Sequence, residues 1–261
     1  MSPTALITGA SQGIGRSTAR LLAKNGYDLI LAARTKDTLE SVAAEIHRLD
    51  RQALAITTDV SDRTAVAELV NLGLERFGQI DVLVNNAGIC MNAPMSKTTI
   101  EDWEQILKVN LWGYIYTIDA LLPHFKARKQ GNIINVGSFG GKVPLPNMTA
   151  YCTSKYAVTG LTETLKLELE PQGIHVSGIH PSVTNSDFME RSIFKGSDPE
   201  QMQKILSSPL VSQPEDVAKA IWHAIEYPQA EVVVGAAKIP TFLHRLFPGI
   251  AQGLMQLGIK N

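Results

Sequence analysis

Short aliphatic and β-branched runs alternate along nearly the whole chain with segments whose apolar residues recur three and four apart, and this alternation limits the folds open to it. The strand candidates are Ala5 to Thr8, Asp28 to Ala32, Ala53 to Thr57, Val82 to Asn85, Asn132 to Val136, His175 to His180 and Glu231 to Val234. Between them lie helical spacings such as Val66, Leu69, Val70, Leu72, Leu74 and Leu161, Leu165, Leu169. Strands and helices in strict alternation build βαβ units around a buried parallel sheet, with right-handed crossovers. The expectation is therefore an α/β fold: a doubly wound parallel sheet of about seven strands, helices on both faces, ligands beyond the strands' carboxyl ends.

No composition break, repeat or long linker divides the 261 residues, so 1–261 is read as a single domain. One long irregular stretch, 182–213, precedes Pro214 and the helical "EDVAKAIWHAI" and is a candidate substrate lid. A net charge of −1 argues against nucleic acid, which needs concentrated basic charge. The cluster Lys126, Arg128 and Lys129 follows a periodic segment and reads as solvated cations at a helix C-terminus. Two cysteines, Cys90 and Cys152, make no disulfide framework and have no metal-ligand spacing, so no metal is expected and the compartment is read as cytoplasmic. "TALIT" follows the first residues at once, leaving no room for a signal peptide, and no run of about 18 apolar residues could span a bilayer.

The first strand runs into "TGASQGIGR", with Gly9, Gly13 and Gly15 and, between them, Ser11, Gln12 and Ile14. Such glycines permit a tight turn and close backbone approach to a pyrophosphate, while the helix that follows offers unpaired amides and a positive dipole. The spacing is G-x-x-x-G-x-G rather than G-x-G-x-x-G, and a glycine-rich turn without a ligand remains an alternative. After the second strand, "LILAARTKD" places Ala33 about where an acid would meet a free ribose hydroxyl, and Arg34 follows. An arginine pairs with a 2′-phosphate that an acid would repel, which favours NADP(H) over NAD(H). Uncharged Gln12, and the option that Arg34 is a plain surface residue, weigh against it.

"AYCTSKYAV" then puts Tyr151 and Lys155 four apart, on one face of a helix. Alone, that pair could be a lysine snorkelling along a ring at the surface. It does not stand alone. "DV" at Asp59 and Val60 follows the third strand, "NNAG" at Asn85 to Gly88 ends the fourth, Asn110 lies in a helical stretch, and Ser138 follows the fifth strand thirteen residues before Tyr151. In this order the motifs resemble the short-chain dehydrogenase/reductase family over about residues 4 to 235. The resemblance implies a Rossmann-like fold and a nicotinamide cofactor. It implies a tetrad of Asn110, Ser138, Tyr151 and Lys155, with Asp59 and Val60 at the adenine and Asn86, Ala87 and Gly88 shaping the cofactor cleft. Singly, Asp59 could merely cap a turn, the asparagines could satisfy backbone groups, and Ser138 could be a loop hydroxyl. The chain departs from the family at "PSVTNS", where the usual glycine is Ser182; contacts to the nicotinamide would come from Pro181, the Val183 backbone and the hydroxyls of Thr184 or Ser186.

Carbonyl reduction needs a hydride, carried by the nicotinamide, and a proton, supplied by the protein. Moving a tyrosine from its usual pKa near 10 to about 7 takes roughly 4 kcal/mol of preference for phenolate; the Lys155 ammonium favours the phenolate, and the positive charge of the oxidised nicotinamide is expected to add to it. The resemblance adds that Lys155 holds the nicotinamide ribose, Ser138 the substrate oxygen, and Asn110 a water linking Lys155 to solvent.

For the substrate, Phe188, Met189, Ile193, Phe194, Met202, Ile205 and Leu206 in the lid, with Val143, Leu145 and Met148, could line an apolar pocket for a medium-sized ketone, aldehyde or secondary alcohol, or could be lid core. In the tail, 238–261, Leu243, Leu246, Phe247, Ile250, Leu254 and Leu257 recur at helical spacing around Pro248 and Gly249. Lys238, Arg245 and Lys260 are basic, and no acid follows Glu231. Such a tail can lie on a membrane surface; packing on its own domain or a sister subunit is the favoured reading. Family habit points to a homodimer or homotetramer. An NADP-binding regulatory or scaffold protein without turnover, and an epimerase or dehydratase using the same Tyr/Lys pair, are the competing readings.

Overall fold

A computed structural model of the chain describes residues 2–185, 188, 192–195 and 211–249. Its strands are β1 (Thr4–Thr8), β2 (Asp28–Ala33), β3 (Ala53–Thr57), β4 (Val82–Asn85), β5 (Met91–Asn92), β6 (Gly131–Val136), β7 (Ile174–Pro181), β8 (Ile193–Phe194) and β9 (Glu231–Val234). The helices are α1 (Gly13–Lys24), α2 (Lys36–His47), α3 (Arg63–Phe77), α4 (Ile100–Leu107), α5 (Gly113–Arg128), α6 (Thr149–Leu169), α7 (Pro214–Glu226) and α8 (Lys238–Leu246).

Seven strands form one parallel sheet in the order β3-β2-β1-β4-β6-β7-β9, the predicted strands within a residue or two of their ends. Successive strand residues face opposite sides. Ile7, Leu29, Leu31 and Val84 meet α1, α2 and α7 through Leu22, Leu39 and Ile221, while Leu6, Ile30 and Leu83 meet α3 and α5 through Leu69, Leu121 and Phe125. Each such fully buried side chain contributes about 1.5–3 kcal/mol of transfer free energy, which is why sheet and helices hold a rigid platform. The strand order reverses between β1 and β4, and a crevice opens beyond their carboxyl ends.

Local signals set the helix ends. The Asp62 carboxylate accepts from the amides of Thr64 and Ala65 at the start of α3, Gly78 closes that helix at φ 75°, and Thr99 with Asp102 makes a capping box on α4. Between α4 and α5 the backbone widens into a π-helical turn, Lys108–Trp112. Outside the main sheet, β5 and β8 pair in parallel, tying the segment after "NNAG" to residues 193–194.

Two expectations change. Arg128 is not a solvated cation: its guanidinium donates to Asp81 Oδ1 at 2.7 Å and to the Ile80 carbonyl at 2.9 Å, because the end of α5 lies against the entry to β4. Lys126 and Lys129 are exposed, as expected. In the described part of the tail, Ile239, Phe242, Leu243, Leu246 and Phe247 are exposed rather than packed on the domain, which leaves only the sister-subunit half of that expectation. Ile250, Leu254, Leu257 and Lys260 lie outside the described residues.

Candidate active site

The glycine turn after β1 is built by close approach. Gly9 (φ +64°) lies so near the next strand loop that a Cβ there would fall 2.9 Å from the Ala87 Cα, and one on Gly15 would fall 2.2 Å from the Gly9 carbonyl oxygen. The loop is tied down by Asn86, whose Nδ2 donates to the carbonyls of Thr8 and Gly9 at 3.0 and 3.2 Å. Thr8 completes the joint, its Oγ1 accepting from the amides of Asn86 and Ala87, both at 3.0 Å. Thr8 was not singled out in the sequence, since its role exists only once β1 and β4 are neighbours. Asn85 turns the other way into a buried ladder with Asn135, Thr117 and, through Asn135, Thr162.

Around this turn runs a cleft of ≈ 780 Å³. At one end it is walled by Gly9, Ser11, Gln12, Gly13, Ile14, Arg34, Asp59 and Val60; in the middle by Asn86, Ala87 and Gly88; at the other end by Ser138, Tyr151, Lys155, Pro181, Val183 and Thr184. Gly15 packs behind the turn rather than lining it. Arg34 is exposed at the edge. Asp59 also does the capping work allowed for it, its Oδ1 accepting from the Ser61 amide and hydroxyl at 2.9 and 2.8 Å. Ser186 lies outside the described residues.

The residues fit a dinucleotide. The glycine positions leave the backbone bare where a pyrophosphate would approach, and the first turn of α1 carries no acid and no side-chain cap at Gln12. The cleft runs across the sheet edge from Arg34, after β2, to Ser138, after β6, three strands away. Among the described residues no group of three or more histidines, cysteines or carboxylates gathers as for a metal ion.

At that far end α6 carries Tyr151 and Lys155 one turn apart, both buried. Ser138 follows β6 in extended conformation; its hydroxyl accepts from the Gly140 amide at 3.1 Å and bonds the Tyr151 phenol. The Lys155 ammonium donates to the Val136 carbonyl at 3.0 Å and lies 5.4 Å over the Tyr114 ring. Asn110, fully buried in the π turn, accepts from the Ile89 amide at 2.8 Å and donates to the Ile89 carbonyl at 2.9 Å and to Ser154 Oγ at 3.0 Å. Gly88 stands between them: a Cβ there would sit 3.3 Å from Asn110 Oδ1 and 3.7 Å from the Lys155 Nζ. All four tetrad candidates thus gather around one corner of the crevice.

Burial dominates the electrostatics of this corner. Burial pushes the Tyr151 phenol well up from 10, and the Ser138 hydrogen bond only partly opposes it. Burial also pulls Lys155 down from 10.5 to about 8.

Beyond the tetrad the wall turns apolar. Cys90, Leu145, Met148 and Phe188 surround Tyr151, and the Phe188 ring lies 6.4 Å from the tyrosine ring. Of the other pocket candidates, Val143 is fully buried core, and Ile193 packs on Met91 and Ala93. Met189, Met202, Ile205 and Leu206 lie outside the described residues. Ser182, standing where the family has glycine, bonds Ser212 Oγ at 2.9 Å, and the room for it comes from Gly235, where a Cβ would lie 2.5 Å from its hydroxyl. The Thr184 hydroxyl donates to the Ser182 carbonyl at 3.1 Å.

With this geometry in view, residues 3–196 match the short chain dehydrogenase family. The chain belongs to that family. An uncharacterized oxidoreductase of Listeria monocytogenes is 36% identical over 226 residues, covering 86% of this chain and 90% of its own. A short-chain dehydrogenase from Sphingobium yanoikuyae in complex with NADPH aligns at TM-score 0.81 and 29% identity, over 97% of this chain and 95% of its own. A short chain dehydrogenase/reductase from Burkholderia phymatum in complex with NAD aligns at TM-score 0.82 and 26% identity, over 94% and 90%. The family is one of oxidoreductases, and these solved members bind nicotinamide dinucleotides of either kind.

Proposed function

We propose that the protein is an NADPH-dependent reductase of a mainly apolar ketone or aldehyde. The observation that carries the reading is the meeting of Ser138, Tyr151, Lys155 and Asn110 at the end of a cleft whose other end holds Arg34. When bound, the cofactor supplies the hydride to the carbonyl carbon. Ser138 and Tyr151 hold the carbonyl oxygen by hydrogen bonds, and the phenolic O–H gives its proton to that oxygen as the negative charge builds. Burial suits this direction, because a raised pKa keeps the phenol protonated until it is used. With the cofactor bound, Lys155 would exchange the Val136 carbonyl for the nicotinamide ribose hydroxyls, and Asn110 would link the ammonium to solvent through water.

Arg34 favours the 2′-phosphate and so NADP(H) over NAD(H), supported by the lack of an acid at Ala33. The apolar wall of Cys90, Leu145, Met148 and Phe188, with no charged anchor among its described residues, favours an uncharged substrate. The reading includes a single domain over 1–261, a lid within 182–213, a cytoplasmic location and a homodimer or homotetramer. Purified Tyr151→Phe tests it: NADPH binding by fluorescence titration is retained, while NADPH oxidation with a panel of steroid, quinone, fatty acyl and aromatic carbonyls disappears. Undiminished turnover in the variant removes the mechanism, and no turnover by the parent on any carbonyl returns the protein to a binding role.

A further inference from the structure

The helix α8 is turned inside out for a soluble surface. Ile239, Phe242, Leu243 and Leu246 recur at i, i+3, i+4 and i+7 and are 72%, 61%, 42% and 52% exposed, with Phe247 beyond them at 54%. The polar positions between them point inward, where Thr241 Oγ1 and His244 Nδ1 are buried with no hydrogen-bond partner among the described residues. A helix docked on its own domain does the reverse, burying its apolar stripe. Exposed Lys238 and Arg245 accompany this stripe. Glu231 is the last acid of the chain, so residues 232–261 hold Lys238, Arg245 and Lys260 and no carboxylate.

We propose that α8 docks on an anionic lipid bilayer. Apolar side chains sink into the boundary region while the cations meet lipid phosphates, a combination that neither half achieves well alone. The charge pattern selects this occupant over a second copy of the chain, because a two-fold interface would bring the same uncompensated cations together. Position gives the docking a use. The turn that leads into α8 packs against a loop that lines the cleft, Gly235 against Ser182, so α8 starts from the cleft's own wall.

Flotation of the full-length protein with vesicles tests this without reference to the reaction proposed above. With phosphatidylcholine vesicles containing phosphatidylglycerol the protein floats at low salt and is released several-fold at high salt, and it floats little with phosphatidylcholine alone. Phe242→Ser/Leu246→Ser loses flotation, Lys238→Glu/Arg245→Glu weakens it several-fold, and both keep the parent's melting temperature, since these side chains are exposed. No flotation of the parent with any vesicle, or parent-like flotation of Phe242→Ser/Leu246→Ser, overturns the proposal. So does that variant turning an oligomer into monomers while flotation stays the same, which would assign the face to a sister subunit.

Discussion

The Lys155 ammonium and the Tyr114 hydroxyl share one acceptor, the Val136 carbonyl, at 3.0 and 2.9 Å. Tyr114 is wholly buried, its ring lies beneath the ammonium, and burial raises its pKa far enough to keep it a neutral donor. The carbonyl thus holds Lys155 only in part. In Tyr114→Phe the carbonyl falls to Lys155 alone, which then leaves it less readily for a ribose. One hydrogen bond is worth about 1 kcal/mol, so the dissociation constant for NADPH rises about fivefold, read by fluorescence titration.

Lys155 itself is held at a cost. With the lysine at 10.5 unfolded and about 8 folded, the unfolded chain binds the extra proton between those values, and stability rises with pH across that window. Below about pH 8 the full penalty applies, on the order of 3 kcal/mol, less the hydrogen bond to Val136. Lys155→Met therefore melts several degrees higher than the parent at pH 7, with the gain shrinking as pH approaches 10.5, while turnover is lost. Scanning calorimetry across pH reads both parts.

The proposed function makes Arg34 the residue that discriminates the two cofactors. A charge-assisted hydrogen bond contributes about 1.5–3 kcal/mol, so Arg34→Ala lowers the kcat/KM ratio of NADPH to NADH by about 10- to 100-fold and leaves NADH nearly unchanged. Equal losses for both cofactors would place Arg34 outside the recognition of the phosphate.

The glycine turn tolerates no methyl group at Gly15, where a Cβ would meet the Gly9 carbonyl at 2.2 Å. Gly15→Ala moves that carbonyl and abolishes dinucleotide binding in a titration. At Gly160, an exposed position inside α6, a Cβ meets nothing within 4 Å. Gly160→Ala is expected to add about 0.5–1 kcal/mol of stability.

The sheet was legible because a strand buried on both faces writes itself as an unbroken apolar run: β2 is buried at all six of its residues, and it reads "DLILAA". The glycine turn and the Tyr151/Lys155 pair were legible because spacing alone brings their atoms together. What escaped depends on partners distant in the chain. The π turn that presents Asn110 has no local sequence mark, Thr8 and Tyr114 gain their roles from β4 and β6, and Arg128 finds Asp81 across 47 positions. The pKa balance escaped for the same reason: adjacency of Tyr151 and Lys155 can be read from the sequence, but the depth at which both are buried cannot.

Ser212 offers its amide to the Val183 carbonyl at 3.0 Å, its own carbonyl to the Asn185 amide at 2.9 Å and its hydroxyl to Ser182. The chain that leaves after Asn185 is thus clasped where it returns at Ser212, and on the way β8 ties it to β5. Because the entropy of closing a loop grows only slowly with its length, inserts of other sizes could be spliced in above the clasp without disturbing the sheet. If the segment is the proposed lid, exchanging that one cassette changes the substrate and leaves the sheet intact.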